Sequence, residues 1–180
     1  MLIAGTVLVP PRLTADTGTD SPPTRLKRMS AAKPSRLTDT FALSAMKTIW
    51  QQLPTAFREP GNKEAREAMM RAATLAGIAF SNASVALVHG MSLPIGAFFH
   101  VPHGLSNAML LPAVTAFSIN SAVQRYAECA RTMQIATSSD SNQASTSKSV
   151  RALYQRNAEL EVPPPSKYGF HVVVRESQWD

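Results

Sequence analysis

Two histidines stand where the sequence passes from helix-forming residues to turn-forming ones and back. His89 closes a run of small and apolar residues, and His103 follows Pro102 at the head of the next such run, within the segment HGMSLPIGAFFHVPHG. Imidazoles at the end of one helix and the start of the next can converge across the bend, and neutral imidazole is a good donor to iron, zinc, nickel or copper. Spacing alone does not separate this from the ordinary occurrence of histidine at a surface or in a satisfied core. His100, between them, reads either as an exposed loop residue or as part of a pocket, and His171 is given no role. Met69, Met70, Met91 and Met109 read as core packing and not as ligands. The single cysteine, Cys129, excludes an internal disulfide, fits a reducing and hence cytoplasmic compartment, and reads as a small core or surface residue.

Helices must position that pair. Periodicity begins after Thr38: Thr38 or Asp39 can cap a helix through Ile49, with Phe41, Leu43, Met46, Ile49 and Trp50 at three-to-four spacing. Pro54 to Gly61 reads as a connection. Asn62 caps a second helix, with Glu64 in the first turn where the helix dipole favours a carboxylate. It runs through Ala65, Met69, Ala72, Ala76 and Ala79 as far as His89, where Gly90 ends it and Pro94 forbids continuation. Gly90 to Pro102 is therefore expected to be a loop. A third helix starts at Pro102 and carries Leu105, Met109, Leu110, Val114 and Phe117. A fourth, around Ala122 to Met133, has Val123, Tyr126, Ala127 and Ala130 on one face. Residues 137–148, mostly Ser, Thr, Asn and Gln, read as a linker, and a last helix spans Ser149 to Leu160, stopped by Pro163, Pro164 and Pro165. Strand candidates are confined to Ile3 to Val9 and His171 to Val174, so the expected class is all-α, a helical bundle. The organisation expected is an irregular or poorly ordered segment 1–37, an incomplete helical domain 38–169, and a divergent tail 170–180.

A chain of 180 residues suits one domain, and 44% apolar residues suffice for a core. A net charge of +6 raises the question of a nucleic-acid partner, but the charge is uneven: Arg25, Lys27, Arg28, Lys33 and Arg36 crowd one stretch, with no aromatic interleaving. That partner is disfavoured. The apolar run Ala72 to Val88 is broken by Ser81, Asn82 and Ser84 and falls short of the roughly 20 residues a membrane span requires, so it reads as a buried helix. Met1 to Pro10 has no basic region before it and makes a poor signal peptide.

The run AREAMMRAATLAGIAFSNASVALVHGMSLPIGAFFHVPHGLSNAMLLPAVTAF, Ala65 to Phe117, resembles the metal-binding region of the iron-containing (group III) alcohol dehydrogenases, a family that includes lactaldehyde, propanediol and maleylacetate reductases. The resemblance lies in a helix of small residues ending in His, a Gly/Pro loop, then Pro-His-Gly-x-x-Asn-Ala, and extends more thinly from about Pro10 to Gly169. It implies the C-terminal helical domain of the dehydroquinate synthase-like fold. It implies a divalent metal, iron or zinc, held by His89 and His103, and a small alcohol or aldehyde substrate. It implies a metal acting as a Lewis acid on the alcohol oxygen while hydride passes to NAD(P). The α/β half that would hold NAD(P), with its glycine-rich phosphate loop, has no counterpart in the sequence.

The family's remaining ligands are an Asp and a His four residues apart, on one helix face. The matching stretch places Asp20 at the Asp position and Thr24 at the His position, with Pro22 and Pro23 between them, and an interior proline costs a helix about 3 kcal/mol. Metal binding is therefore expected to be impaired. Leu93 stands where many members have a further active-site His. The family reads something like His-Ala-Ile-Glu-Ala-Tyr-Val-Ser over this segment. One codon choice for that peptide, CACGCGATTGAAGCGTATGTCAGCG, read one base later gives Thr-Arg-Leu-Lys-Arg-Met-Ser-Ala, which is Thr24 to Ala31 as they stand. We read the basic cluster as a local frameshift restored by Lys33. The chain is then a metal-binding fragment of an NAD(P)-linked alcohol dehydrogenase, inactive alone. The competing readings are a metal-binding or helical interaction module that completes a partner chain, with homo- or hetero-oligomers formed through exposed apolar surface. Sequencing the coding DNA over Thr24 to Ala31 checks the frameshift: the frame shifted by one base should encode the family peptide, and an unrelated peptide in that frame would refute it.

Overall fold

The computed structural model describes residues 36–81 and 87–172, and every described element is helical. Among the described residues six α-helices follow in order: α1 Arg36–Arg58, α2 Lys63–Ser81, α3 Leu87–Phe99, α4 His103–Ser118, α5 Val123–Thr132 and α6 Asn142–Glu159. Short 3₁₀ turns at Ile119–Ser121 and Pro165–Tyr168 complete them. The sequence reading of an all-α fold holds. Asp20, Thr24, the remainder of the suspected frameshift peptide and the strand candidate Ile3 to Val9 lie outside the described residues, as do residues 82–86 and 173–180.

α1 and α2 form a hairpin whose seam is built from small residues. Ala45, Ile49, Leu53 and Ala56 meet Ala65, Met69, Ala72 and Ala76, and Leu160 closes the end of the cluster. Alanine at this many facing positions lets two helix backbones approach closely. Asn62 caps α2 as expected, its Oδ1 accepting from the Ala65 amide at 3.1 Å. α4 lies at the centre of the other half. Leu110, Leu111 and Val114 pack with Val88 of α3 and Leu153 of α6, while Leu105 and Met109 pack with Val101. Cys129 and Met133 join that half to Met46 of α1. Phe170 and Val172, at the start of the expected tail, pack on these same clusters.

Three helices run through a proline, and two of these cases overturn the sequence reading. α1 passes through Pro54, read as the start of a connection. α3 runs from Leu87 across Gly90 and Pro94, where a loop was expected, and the helix of small residues is described as far as Ser81. Proline removes the N–H that would bond to the carbonyl four residues back. In α3 that carbonyl belongs to Gly90, which is exposed together with Pro94, so water can take the place of the lost donor and the helix continues.

In α4 no such escape exists. Pro112 deprives the Ala108 carbonyl of its partner, and Ala108 is fully buried. Asn157 of α6 supplies the donor, its Nδ2 bonding the Ala108 oxygen at 2.7 Å. The polar stretch 137–148, read as a linker, also proves partly helical. Ser141 caps α6 by accepting from the Ala144 amide at 3.1 Å. Ser145, Thr146 and Ser149 are buried, because their hydroxyls donate to the carbonyls of Ser141, Gln143 and Thr146. Met91 is exposed, against its reading as core, whereas Met69 and Met109 are buried.

Asn157→Leu should destabilise the fold by about 1–3 kcal/mol, the range for leaving a buried carbonyl unpaired. The same change in a Pro112→Ala background should cost markedly less, because alanine at that position returns the missing amide. A double-mutant cycle by urea unfolding checks this, and additivity would refute the pairing. The turn before α6 gives a pH-dependent counterpart. The Asp140 carboxylate accepts from Lys148 Nζ at 2.6 Å and from the Thr137 amide and hydroxyl at 2.8 and 3.0 Å. Bonding to Lys148, then to the Thr137 amide, lowers its pKa from 3.8 to about 2. A depressed carboxylate pKa stabilises above the unfolded value, and that contribution disappears as pH falls through the folded value. Thermal melts of Asp140→Asn should therefore lie below wild type at neutral pH and converge with it between about 4 and 2.

Candidate metal centre

His103 owes its position to Pro102, which sits at the N-cap of α4 in extended backbone, φ −54° and ψ 140°, and delivers His103 as the first helical residue. His89 lies in α3, which continues through Gly90 where a helix end was expected. Between α3 and α4 the chain reverses over three residues. His100 takes left-handed backbone there, φ 53°, and its side chain is exposed. The reversal is tight: a Cβ on Gly96 would stand 3.4 Å from the Val101 carbonyl oxygen.

The turn brings the two sequence-selected imidazoles together, with ring centres 5.4 Å apart and planes inclined by 56°. Imidazoles this close could donate to one divalent ion, and their chemistry would suit iron or zinc. Among the described residues no group of three or more His, Cys, Asp or Glu side chains gathers around any point, so further protein ligands would come from outside them. Asp20, the third sequence candidate, lies outside. Leu93 is 63% exposed and His100 is exposed to solvent, so neither adds to the pair.

Two residues at the site were not singled out from the sequence. Asn107, fully buried one turn along α4, has its Nδ2 3.1 Å from His103 Nε2. Ser92, fully buried one turn along α3, has its hydroxyl 2.9 Å from the His89 carbonyl and 3.2 Å from His103 Nδ1. Their offsets from the histidines, three and four residues, place each on the ligand's own helix face, and that spacing was the available signal.

The C-terminal model of the Fe-containing alcohol dehydrogenase family matches residues 28–165. An NADPH-dependent butanol dehydrogenase from Clostridium saccharobutylicum is 37% identical over 164 residues, covering 91% of this chain and 41% of that protein. Lactaldehyde reductase of Escherichia coli is 33% identical over 156 residues, 87% of this chain and 40% of its own length. Among solved structures, a 1,3-propanediol oxidoreductase superposes with a TM-score of 0.86 at 29% identity, over 92% of this chain and 44% of the other. An alcohol dehydrogenase from Oenococcus oeni gives 0.86 at 30% identity, over 92% and 43%. The chain therefore spans about two fifths of the length of the relatives it matches.

Proposed function

This chain belongs to the iron-containing alcohol dehydrogenase family, matching its C-terminal helical domain, and from that premise we propose that it is the metal-holding part of an NAD(P)-linked alcohol or aldehyde oxidoreductase. The observation that carries the proposal is the convergence of His89 and His103 across the α3–α4 turn. These two side chains, with Asp20 as a third donor, would hold iron or zinc. Polarisation of an alcohol oxygen is the chemistry such an ion supplies when bound. The rest falls to the protein: α3 and α4 fix both imidazoles on rigid helices, and Ser92 and Asn107 hold the His103 ring from either side.

The activity of the chain by itself is a separate matter. Hydride transfer needs a nicotinamide held in near-attack geometry, and positioning of that kind supplies much of an enzyme's rate enhancement. No glycine-rich run of the kind that cradles a pyrophosphate is written in the sequence. A hydroxyl at Thr24 in place of an imidazole also weakens the metal site. We propose that the chain alone does not turn over alcohol. A second reading, a helical module completing a partner chain, draws on the exposed apolar side chains of α3: Leu87, Met91, Leu93 and Phe98. Metal content of the purified chain separates the two.

His103→Ala should reduce Zn²⁺ affinity by more than the roughly 10–100-fold typical of losing an outer-shell partner, measured by competition with a chelating dye. Assayed with Fe²⁺ or Zn²⁺, NAD⁺ or NADP⁺ and short alcohols, the chain should give no cofactor reduction. Replacing Thr24 to Ala31 by the in-frame peptide, together with Pro22 and Pro23 by alanine, should tighten metal binding and still yield no turnover. Metal-dependent reduction by the chain alone would overturn the proposal of inactivity.

A further inference from the structure

The chain reverses between α3 and α4 through a conformation that His100 does not favour. Its φ of 53° lies in the left-handed region, which is costly for a residue with a Cβ and persists only where the surroundings hold it. The His100 side chain is exposed, so the hold must act through its neighbours. Both neighbours are gripped by one segment. The Phe99 ring stands 5.0 Å from that of Phe170, centre to centre, with planes inclined by 41°, a favourable tilted arrangement. Val101, 3% exposed, belongs with Leu105 and Met109 to the cluster on which Phe170 and Tyr168 pack. Val172 packs on the cluster that contains Val88, the residue before His89. The segment comes from the end of α6 by way of the 3₁₀ turn Pro165–Tyr168, which Gly169 closes at φ 81°, its N–H donated to the Pro165 and Ser166 carbonyls. Phe170 and Val172 stand beyond residues 28–165, the span that the family model matches, so no role comes to them from that likeness.

We propose that Phe170 is a positioning residue: it clamps the strained reversal at His100 and so keeps the first turn of α4, with His103, against α3. What the clamp does for chemistry rests on the metal reading above, whereas the clamp itself does not. His103 follows His100 by three residues, and Pro102 between them has a fixed φ, so a relaxation at His100 is passed on to His103 as a change in the direction of the chain. With Phe170 in place, return of His100 to ordinary backbone would pull Phe99 off its ring partner or Val101 out of its cluster. Without it, the Phe99 side of the reversal loses that anchor.

The test uses the full chain without added metal and follows amide hydrogen exchange, which measures local opening. The Ser106 amide donates to the Pro102 carbonyl at 2.9 Å and reports the turn, while the Ala72 amide, in the α1–α2 seam, is the reference. Phe170→Ala should speed Ser106 exchange about tenfold, a change on the scale of the strain at such a residue, and leave Ala72 as it was. Glycine adopts left-handed backbone readily. His100→Gly should therefore slow Ser106 exchange in the otherwise intact chain and return the Phe170→Ala chain most of the way to wild type. Unchanged Ser106 exchange in Phe170→Ala, or equal acceleration at Ser106 and Ala72, would overturn the proposal, as would His100→Gly without effect in either background. Zn²⁺ affinity, measured by competition with a chelating dye, should fall in Phe170→Ala and recover in the double variant. Unchanged affinity despite faster exchange would overturn the link to the histidine pair. A wild-type chain that binds no Zn²⁺, with exchange as expected, would instead overturn the metal reading and support the clamp alone.

Discussion

Burial of α4 on nearly every side is the constraint around which the remainder of the structure is arranged. From Leu105 to Pro112 without a gap, and again at Val114 and Thr115, its residues are buried. A helix in that position cannot leave a polar group to water, so each interruption of its own bonding must be answered by a neighbour. Pro112 is the interruption and Asn157 the answer. Ser106 is a milder case, its hydroxyl turned back to the Pro102 carbonyl at 3.2 Å. The helices around α4 are thus selected both for apolar fit and for the polar groups they bring to fixed points along it.

The same constraint gives the His103 end its rigidity. Asn107 and Ser92 can direct an imidazole because they are dry and held by helices whose other faces are core. The outer side of α3 is different in kind, with Leu93 and Phe98 63% and 79% exposed.

The legible part of the fold was what helical period and caps encode. Asn62 and Pro102 marked helix starts, and the small-residue seam of α2 marked a close helix contact. Both histidines were legible as well, and the structure brings them together. What misled was reading proline and serine by local preference alone. Pro54 and Pro94 break a helix only where the freed carbonyl has no recourse, and exposure at Gly90 supplies one. Ser145, Thr146 and Ser149 weaken an isolated helix, yet their hydroxyls fold onto its carbonyls and leave a surface that can be buried. These are tertiary decisions, invisible to a sequence window. Ser92 and Asn107 failed to stand out for a related reason, since nothing distinguishes a serine or asparagine near a histidine until the facing helix is in place.

The bond from Asn157 to Ala108 spans 49 positions in the chain, and it bears on the order in which a nascent polypeptide can acquire its shape. As α4 leaves the ribosome, the Ala108 carbonyl has no intrahelical partner and must stay hydrated. The central helix can be sheltered from solvent only after α6 has also been made and delivers its amide.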